Sequence, residues 1–237
     1  MLIIDDMQEV NVVDVGQRKR HVKYFKQCLN LLPARLAYLD SQRLVLAHFA
    51  IGGLSVLDAI DELTNREEII EWVYSLQSSS GGFYGSDMMS NLPHDVAQTH
   101  IASTFSALQS LLMLGDDLLR VHVDPLLSWL CQLQTPRGSF CGAANNTEQA
   151  DMRFSYCAAF IYHIFGGTKQ SPFDDKCVEL AVDFIHQCQS PDSAFGQVPG
   201  SEGHGALTFC ALAALKLFGK SGWGARNQVF QCQIFKW

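Results

Sequence analysis

The chain offers no segment fit to cross a bilayer: its longest apolar stretch, Leu44 to Leu57, contains His48 and two glycines and falls short of the about 20 residues required. It reads as a buried core helix. Strand-like alternation of apolar and polar residues is missing over any useful length, which argues against a sheet. There is no CxxC pair either. The eight cysteines are spread along apolar segments without disulfide-like spacing, so they read as reduced core residues. Met1 to Asp6 has no basic stretch leading into an apolar one, hence no secretory signal, and the expected location is cytoplasmic. Positive charge is scarce as well. With 17 Lys and Arg against 24 Asp and Glu, the net charge is −7, which disfavours a nucleic-acid partner, because that affinity comes from cations neutralising phosphates. The one tight basic cluster, Arg18-Lys19-Arg20-His21, reads as the solvated start of a helix.

What is present is a repeat. Ile69, Trp72, Val73 and Leu76 lead to Gln77 and the loop Gly81-Gly82-Phe83-Tyr84-Gly85. Leu126, Trp129, Leu130 and Leu133 lead to Gln134 and Gly138-Ser139-Phe140-Cys141-Gly142, and Ala181, Phe184, Ile185 and Cys188 lead to Gln189 and Ala194-Phe195-Gly196. The three glutamines are 57 and 55 residues apart, a period that indicates stacked supersecondary units. At 237 residues the repeat favours one large domain with a sizeable core.

Within each unit the apolar spacing is helical. It predicts helices near 18–31, 40–57, 67–77, 95–114, 123–134, 151–165, 173–189 and 204–219. The second helix of each unit is apolar over a broad face and the first is amphipathic, so the second helices should form an inner ring and the first an outer ring. The fold class expected is all-α, an α/α toroid. Asp61, Asp124 and Asp174 precede first helices, where an acid can satisfy free N–H groups. The next glutamine of the series would fall near residue 245, beyond Trp237, so the ring is expected to be incomplete. Residues 1–17 are expected to be poorly ordered, 18–220 to form the toroid, and 221–237 to be a divergent tail.

Several segments together resemble the β subunits of protein prenyltransferases, most closely those of protein geranylgeranyltransferase type I. They are Arg20-His21-Val22-Lys23-Tyr24-Phe25, the run from His100-Ile101-Ala102 to Leu114-Gly115-Asp116-Asp117, Gly138-Ser139-Phe140-Cys141, Asp151-Met152-Arg153-Phe154-Ser155-Tyr156-Cys157-Ala158, and Pro199-Gly200-Ser201-Glu202-Gly203-His204-Gly205-Ala206-Leu207-Thr208-Phe209-Cys210. The resemblance implies transfer of geranylgeranyl from its diphosphate to a cysteine near the C terminus of a target protein. It also implies a zinc ion and a heterodimer with an α subunit. On the same basis His204, Gly205 and Ala206 would meet the diphosphate at a helix N-terminus. Arg153, Tyr156 and Cys210 would line the isoprenoid tunnel, and Val45, a small residue on an inner helix, would leave room for a longer lipid. Read without the family, Tyr156 and Cys210 are plain core residues. Arg153 on an apolar inner helix needs a carboxylate or a ligand.

The sequence also departs from that pattern. The family's zinc ligands, an Asp-x-Cys-Tyr pair and a later His, have no counterpart in the 237 residues, nor does its Gly-x-Arg-x-x-Lys loop. Asp175-Lys176-Cys177 imitates the spacing, but it precedes the His-Gly motif and lacks the Tyr. A thiol with an ordinary pKa near 8.5 is about 3% ionised at pH 7, so loss of metal activation alone costs roughly thirtyfold in nucleophile. The expectation is a catalytically deficient β subunit; the alternative is a non-catalytic module that binds the α subunit or an isoprenoid lipid. Other α/α toroids fit less well, since neither Asp-x-Asp-Asp nor Gly-Cys-Gly-Glu-Gln occurs.

Overall fold

The computed structural model describes residues 15–30, 32, 34–92, 98–144, 151–166 and 172–219. The expectations for residues 1–14, for a helix beginning at Asp95 and for the tail 221–237 lie outside the described residues. The helices are α1 (Val15–Cys28), α2 (Arg43–Val56), α3 (Arg66–Ser75), α4 (Asp87–Ser90), α5 (Ile101–Met113), α6 (Val123–Leu133), α7 (Met152–Phe165), α8 (Asp175–Gln187) and α9 (Gly205–Leu217). Two 3-10 segments, Ala34–Gln42 and Ile60–Glu62, flank α2. The helices expected from the sequence do not include α4, Ile60–Glu62 or residues 34–39: a single turn carries no measurable periodicity, and the nine-residue Ala34–Gln42 has three residues per turn rather than the 3.6 of an α-helix.

The only β pairing among the described residues is three isolated antiparallel bridges, Gln77 with Phe83, Gln134 with Phe140 and Gln189 with Phe195. These are the repeated Gln and Phe of the sequence. Each bridge closes the loop after an outer helix and sends its phenylalanine inward, where Phe83, Phe140 and Phe195 are completely buried. Threonines of the following inner helices fix two of these loops: Thr104 Oγ1 accepts from Phe83 N at 2.9 Å and Thr208 Oγ1 from Phe195 N at 3.0 Å.

The inner helices α2, α5, α7 and α9 pack side by side in chain order. Leu108 and Leu111 of α5, Ala158 and Ile161 of α7, and Ala211 and Ala214 of α9 are fully buried within one continuous core shared with the outer α3, α6 and α8. At about 25 cal/mol per Å² of apolar surface, burial of this kind is the main driving force.

Two bonds recur between consecutive units. The glutamine ending an outer helix reaches the start of the next: Gln77 Oε1 accepts from His122 N at 3.2 Å, and Gln134 Nε2 donates to Cys177 O at 2.8 Å. At the other layer, a carbonyl of the loop receives an N–H at the start of the preceding inner helix. Leu44 N donates to Gly85 O, Ile101 N to Gly142 O and Met152 N to Gln197 O, at 2.8, 2.9 and 3.2 Å. Leu44, Ile101 and Met152 are therefore equivalent, and Gly205 follows its cap His204 as Ile101 follows His100.

The caps differ from the expectation. Asp174 does cap α8, accepting from Cys177 N at 3.0 Å. Asp61 instead lies in a 3-10 segment and pairs with Arg66, and Asp124 sits inside the first turn of α6 behind His122. The inner helices are capped by His100, Asp151 and His204, each accepting from the backbone N–H two residues on. Residues 98–100 are non-helical and α5 starts at Ile101, because the His100 cap fixes that start.

Gly138 and Gly200 both have left-handed backbones, φ +85° and +83°. A Cβ on Gly138 would lie 1.9 Å from the Leu180 carbonyl oxygen in the next outer helix, whereas one on Gly200 would meet nothing within 4 Å. Gly200→Ala should cost about 1–2 kcal/mol, the left-handed penalty alone. Gly138→Ala should cost at least about 2 kcal/mol more by urea denaturation, because the backbone of α8 must move. Equal costs would show that the loop and α8 do not press together.

Candidate functional site

Once the inner helices are aligned by their equivalent starting residues, four rings fall at one position. His48, Phe105, Tyr156 and Phe209 each lie four residues after Leu44, Ile101, Met152 and Gly205. They also touch in that order. Ring centroids are 6.1 Å apart for His48 and Phe105, 5.3 Å for Phe105 and Tyr156, and 5.7 Å for Tyr156 and Phe209. Phe160 joins one turn along α7, 5.0 Å from Phe105. The result is a belt of aromatic rings across all four inner helices. The last ring of the belt, Phe209, and Phe49 beside the first are well exposed, at 62% and 66%. Exposed large aromatics beside a ring belt mark a surface suited to an apolar ligand.

The same register explains three residues singled out from sequence. Val45, Arg153 and Ala206 are each one residue beyond the aligned start. Val45 is half-buried and leaves the α2 end of the belt without bulk. Arg153 has the carboxylate it needed: its Nε donates to Asp151 Oδ1 at 2.9 Å and its Nη2 to Asp151 Oδ2 at 2.5 Å. This charge-assisted pair holds the guanidinium firmly protonated. It uses two of the five N–H groups and leaves a side chain that is 65% exposed. Asp151, by contrast, is buried. Besides Arg153 it accepts from its own helix at Arg153 N (2.8 Å) and from Gln197 Nε2 (3.0 Å), so the start of α7 is tied to the loop leading to His204.

His204 Nδ1 accepts from Ala206 N at 3.2 Å, which places the proton of a neutral ring on Nε2. His100 caps α5 in the same way at 3.1 Å, but its Nε2 side is covered. A Cβ on Gly142 would come within 2.4 Å of that nitrogen, and Phe154 stacks edge-on at 5.5 Å. His204, Gly205 and Ala206 are all exposed, with open space around Gly205. The backbone N–H groups of His204 and Ala206 are taken up by the Phe195 carbonyl and the His204 ring, while the Gly205 N–H, the His204 Nε2–H and the positive end of the α9 dipole suit an anion.

Tyr156 and Cys210 are half-buried beside Cys157. Burial pushes all three hydroxyl and thiol groups above their ordinary ranges, with the neighbouring Cys210 and Asp151 adding to the effect at Cys157. These groups are neutral wall, not nucleophiles. Sequence reasoning had named Tyr156, Cys210, Arg153 and Val45 but not His48, Phe49, Phe160 or Phe209. The signal that would have found Phe209 and the partnership of Phe105 is the fixed count of five residues after each capping residue, His100, Asp151 and His204.

The chain matches the profile of the prenyltransferase alpha-alpha toroid domain over residues 17–237. It belongs to that family. It is 36% identical to geranylgeranyl transferase type-1 subunit beta of Arabidopsis thaliana, with 87% of this chain and 57% of the relative covered. It is 30% identical to protein farnesyltransferase subunit beta of Schizosaccharomyces pombe, covering 85% of this chain and 49% of the relative. Candida albicans protein geranylgeranyltransferase-I complexed with GGPP shares the fold, with a TM-score of 0.72 at 23% identity over 85% of this chain and 59% of that one. The chain thus spans about half the length of these relatives. No helix among the described residues is long and apolar enough to cross a membrane.

Prenyltransferase chemistry of the type named in the resemblance calls for zinc, and the described residues do not fit it. No group of three potential ligands occurs among them. In the nearest imitation, Asp175-Lys176-Cys177, burial pushes the Cys177 thiol up, its backbone N–H is capped by the neighbouring Asp174, and burial holds the adjoining Cys131 thiol up at about 11.

Within this toroid the Asp151 network should matter more for folding than Arg153 does. Asp151→Ala removes a cap, the Gln197 bond and the partner of Arg153, for a cost of about 2 kcal/mol, while Arg153→Ala should cost under about 1 kcal/mol because the guanidinium is mostly exposed. Urea denaturation of both variants checks the order, and a reversed order would remove Asp151 as the organising group.

Proposed function

We propose that the chain is the isoprenoid-binding part of a protein geranylgeranyltransferase type I β subunit. The belt of four rings across α2, α5, α7 and α9 carries this reading. A long apolar chain gains about 0.8 kcal/mol for each CH₂ group it buries, and half-exposed rings offer a wall that needs little rearrangement. At the α9 end of the belt, His204 Nε2–H, the Gly205 N–H and the unused N–H groups of Arg153 supply donors for a diphosphate. The missing side chain at Gly205 allows close approach. Ala206 narrows that approach relative to a second glycine.

The relatives' names support transfer of an isoprenoid group as the type of reaction; in this reading the geranylgeranyl group passes from its diphosphate, the leaving group, to a cysteine thiolate of a target protein. The partner fitting this reading is a prenyltransferase α subunit, and the peptide substrate is a C-terminal segment carrying cysteine. Because the described residues fit no zinc, the chain's own residues bind and orient the lipid but leave the thiol without metal activation. It therefore holds geranylgeranyl diphosphate and is deficient in transfer.

A binding titration with geranylgeranyl diphosphate, followed by an assay with added α subunit, zinc and a cysteine-terminated peptide, tests both halves. Stoichiometric binding without turnover is expected; turnover with one bound zinc would overturn the deficiency, and absence of saturable binding would overturn the reading. Val45→Trp adds bulk at the α2 end of the belt. It should weaken the four-isoprene diphosphate at least about tenfold more than the three-isoprene one, a difference of about 1.4 kcal/mol. Equal losses would remove Val45 as the length determinant.

A further inference from the structure

The first ring of the belt is not a carbocycle. His48 occupies on α2 the position that Phe105, Tyr156 and Phe209 occupy on the other inner helices. Its Nδ1 is buried without a hydrogen-bond partner. Its ring is held by packing alone, against Phe49 at 5.5 Å and Phe105 at 6.1 Å. An imidazole in such a place is tolerable as a neutral ring, since one unsatisfied nitrogen costs about 1–3 kcal/mol. As an imidazolium it would be a half-buried charge with no counter-ion, and a fully buried one under a bound lipid.

The groups around it confirm the lack of a partner. The neighbouring α5 has no titratable residue in Ile101–Met113. On α1, Arg18 and Lys26 pair with Glu62, and Tyr24 and Cys28 face each other. In the 3-10 segments, Asp61 pairs with Arg66, and Arg35, Tyr38 and Asp40 contribute nothing to the His48 environment. On its own helix, Arg43 gives its Nη2 to the Leu29 and Asn30 carbonyls. Beyond Phe105, the nearest titratable group of the belt is Tyr156, itself kept neutral by burial. Desolvation is the one influence on His48 and lowers its pKa below the ordinary 6.5.

We propose that His48 is a specificity-determining residue of the isoprenoid wall, admitting an apolar chain as the neutral imidazole and repelling it as the imidazolium. This rests on the reading of the belt as the isoprenoid site. When the lipid covers the belt, the last water is withdrawn from the ring, so binding at acid pH requires His48 to release its proton to solvent. Affinity is then flat from pH 8 to about 6.5. Below the His48 pKa it falls toward a limit of tenfold per pH unit.

The test uses the full chain and geranylgeraniol, a neutral prenol that carries no titrating diphosphate. Calorimetric titrations run from pH 8 to pH 5 in two buffers of different ionisation enthalpy give both affinity and proton release. The wild type should lose affinity on acidification and release up to one proton per lipid at the acid end. His48→Phe and His48→Leu should show flat profiles whatever their affinity at pH 8. Parallel profiles for wild type and variants, or binding at pH 5 without proton release, would overturn the proposal. The wild-type proton count decides the matter even where a variant fails to fold. Absence of saturable binding at pH 8 in the wild type would instead overturn the site itself, and the proposal with it.

Discussion

The contact on which the rest of the structure depends is the pair of bonds that hand one unit to the next. A glutamine amide at the end of one outer helix meets the start of the next, as Gln134 meets the Cys177 carbonyl, and a loop carbonyl accepts an N–H at the start of the preceding inner helix, as Gly142 does from Ile101. The loop carbonyl satisfies an N–H at a helix start that has no partner within its own helix, and the glutamine amide ties the end of one outer helix to the first turn of the next. Together they set both layers in register. Since α2, α5 and α7 are locked at equivalent starting residues and α9 is capped as α5 is, side chains a fixed number of residues further on line up across the layer. The aromatic belt follows from that lock. In a stacked architecture the interface between neighbours carries much of the stability, so the elements that hold the fold together also assemble the site.

The division of labour between the two helix layers was legible in the sequence. Apolar spacing along 123–134 and 173–189 matched α6 and α8 within about two residues, because amphipathic helices facing one core show the clearest period. The Gln and Phe positions proved to be the three bridges. Less legible was the start of α5, where the apolar pattern extended upstream but His100 stopped the helix. Histidine is not among the preferred N-cap residues, so neither His100 nor His204 announced its role. Asp61 and Asp124 had the right chemistry for caps one step away from the right place.

The site was partly legible. Resemblance brought out Arg153, Tyr156, Cys210, Val45 and the His204 segment, and the structure puts Val45, Arg153 and Ala206 on one repeat position, with Tyr156 in the belt. What stayed hidden was the equivalence of His48 with Phe105, Tyr156 and Phe209. The first unit has no Gln-loop-Phe marker before α2, so its register is visible only through the Leu44 bond to Gly85. Arg153 carried the opposite lesson: part of the need for a partner that its place on an apolar helix suggested is met by Asp151, two residues before it.

The central claim is that the face bearing His48, Phe105, Tyr156 and Phe209 receives an isoprenoid chain. The most direct measurement is photo-crosslinking of the full chain with an isoprenoid diphosphate bearing a diazirine in its tail, followed by mapping of the labelled peptides by mass spectrometry. Adducts are expected on α2, α5, α7 and α9 around the belt, suppressed by excess geranylgeranyl diphosphate. Labelling confined to the outer helices α3, α6 and α8 would contradict it.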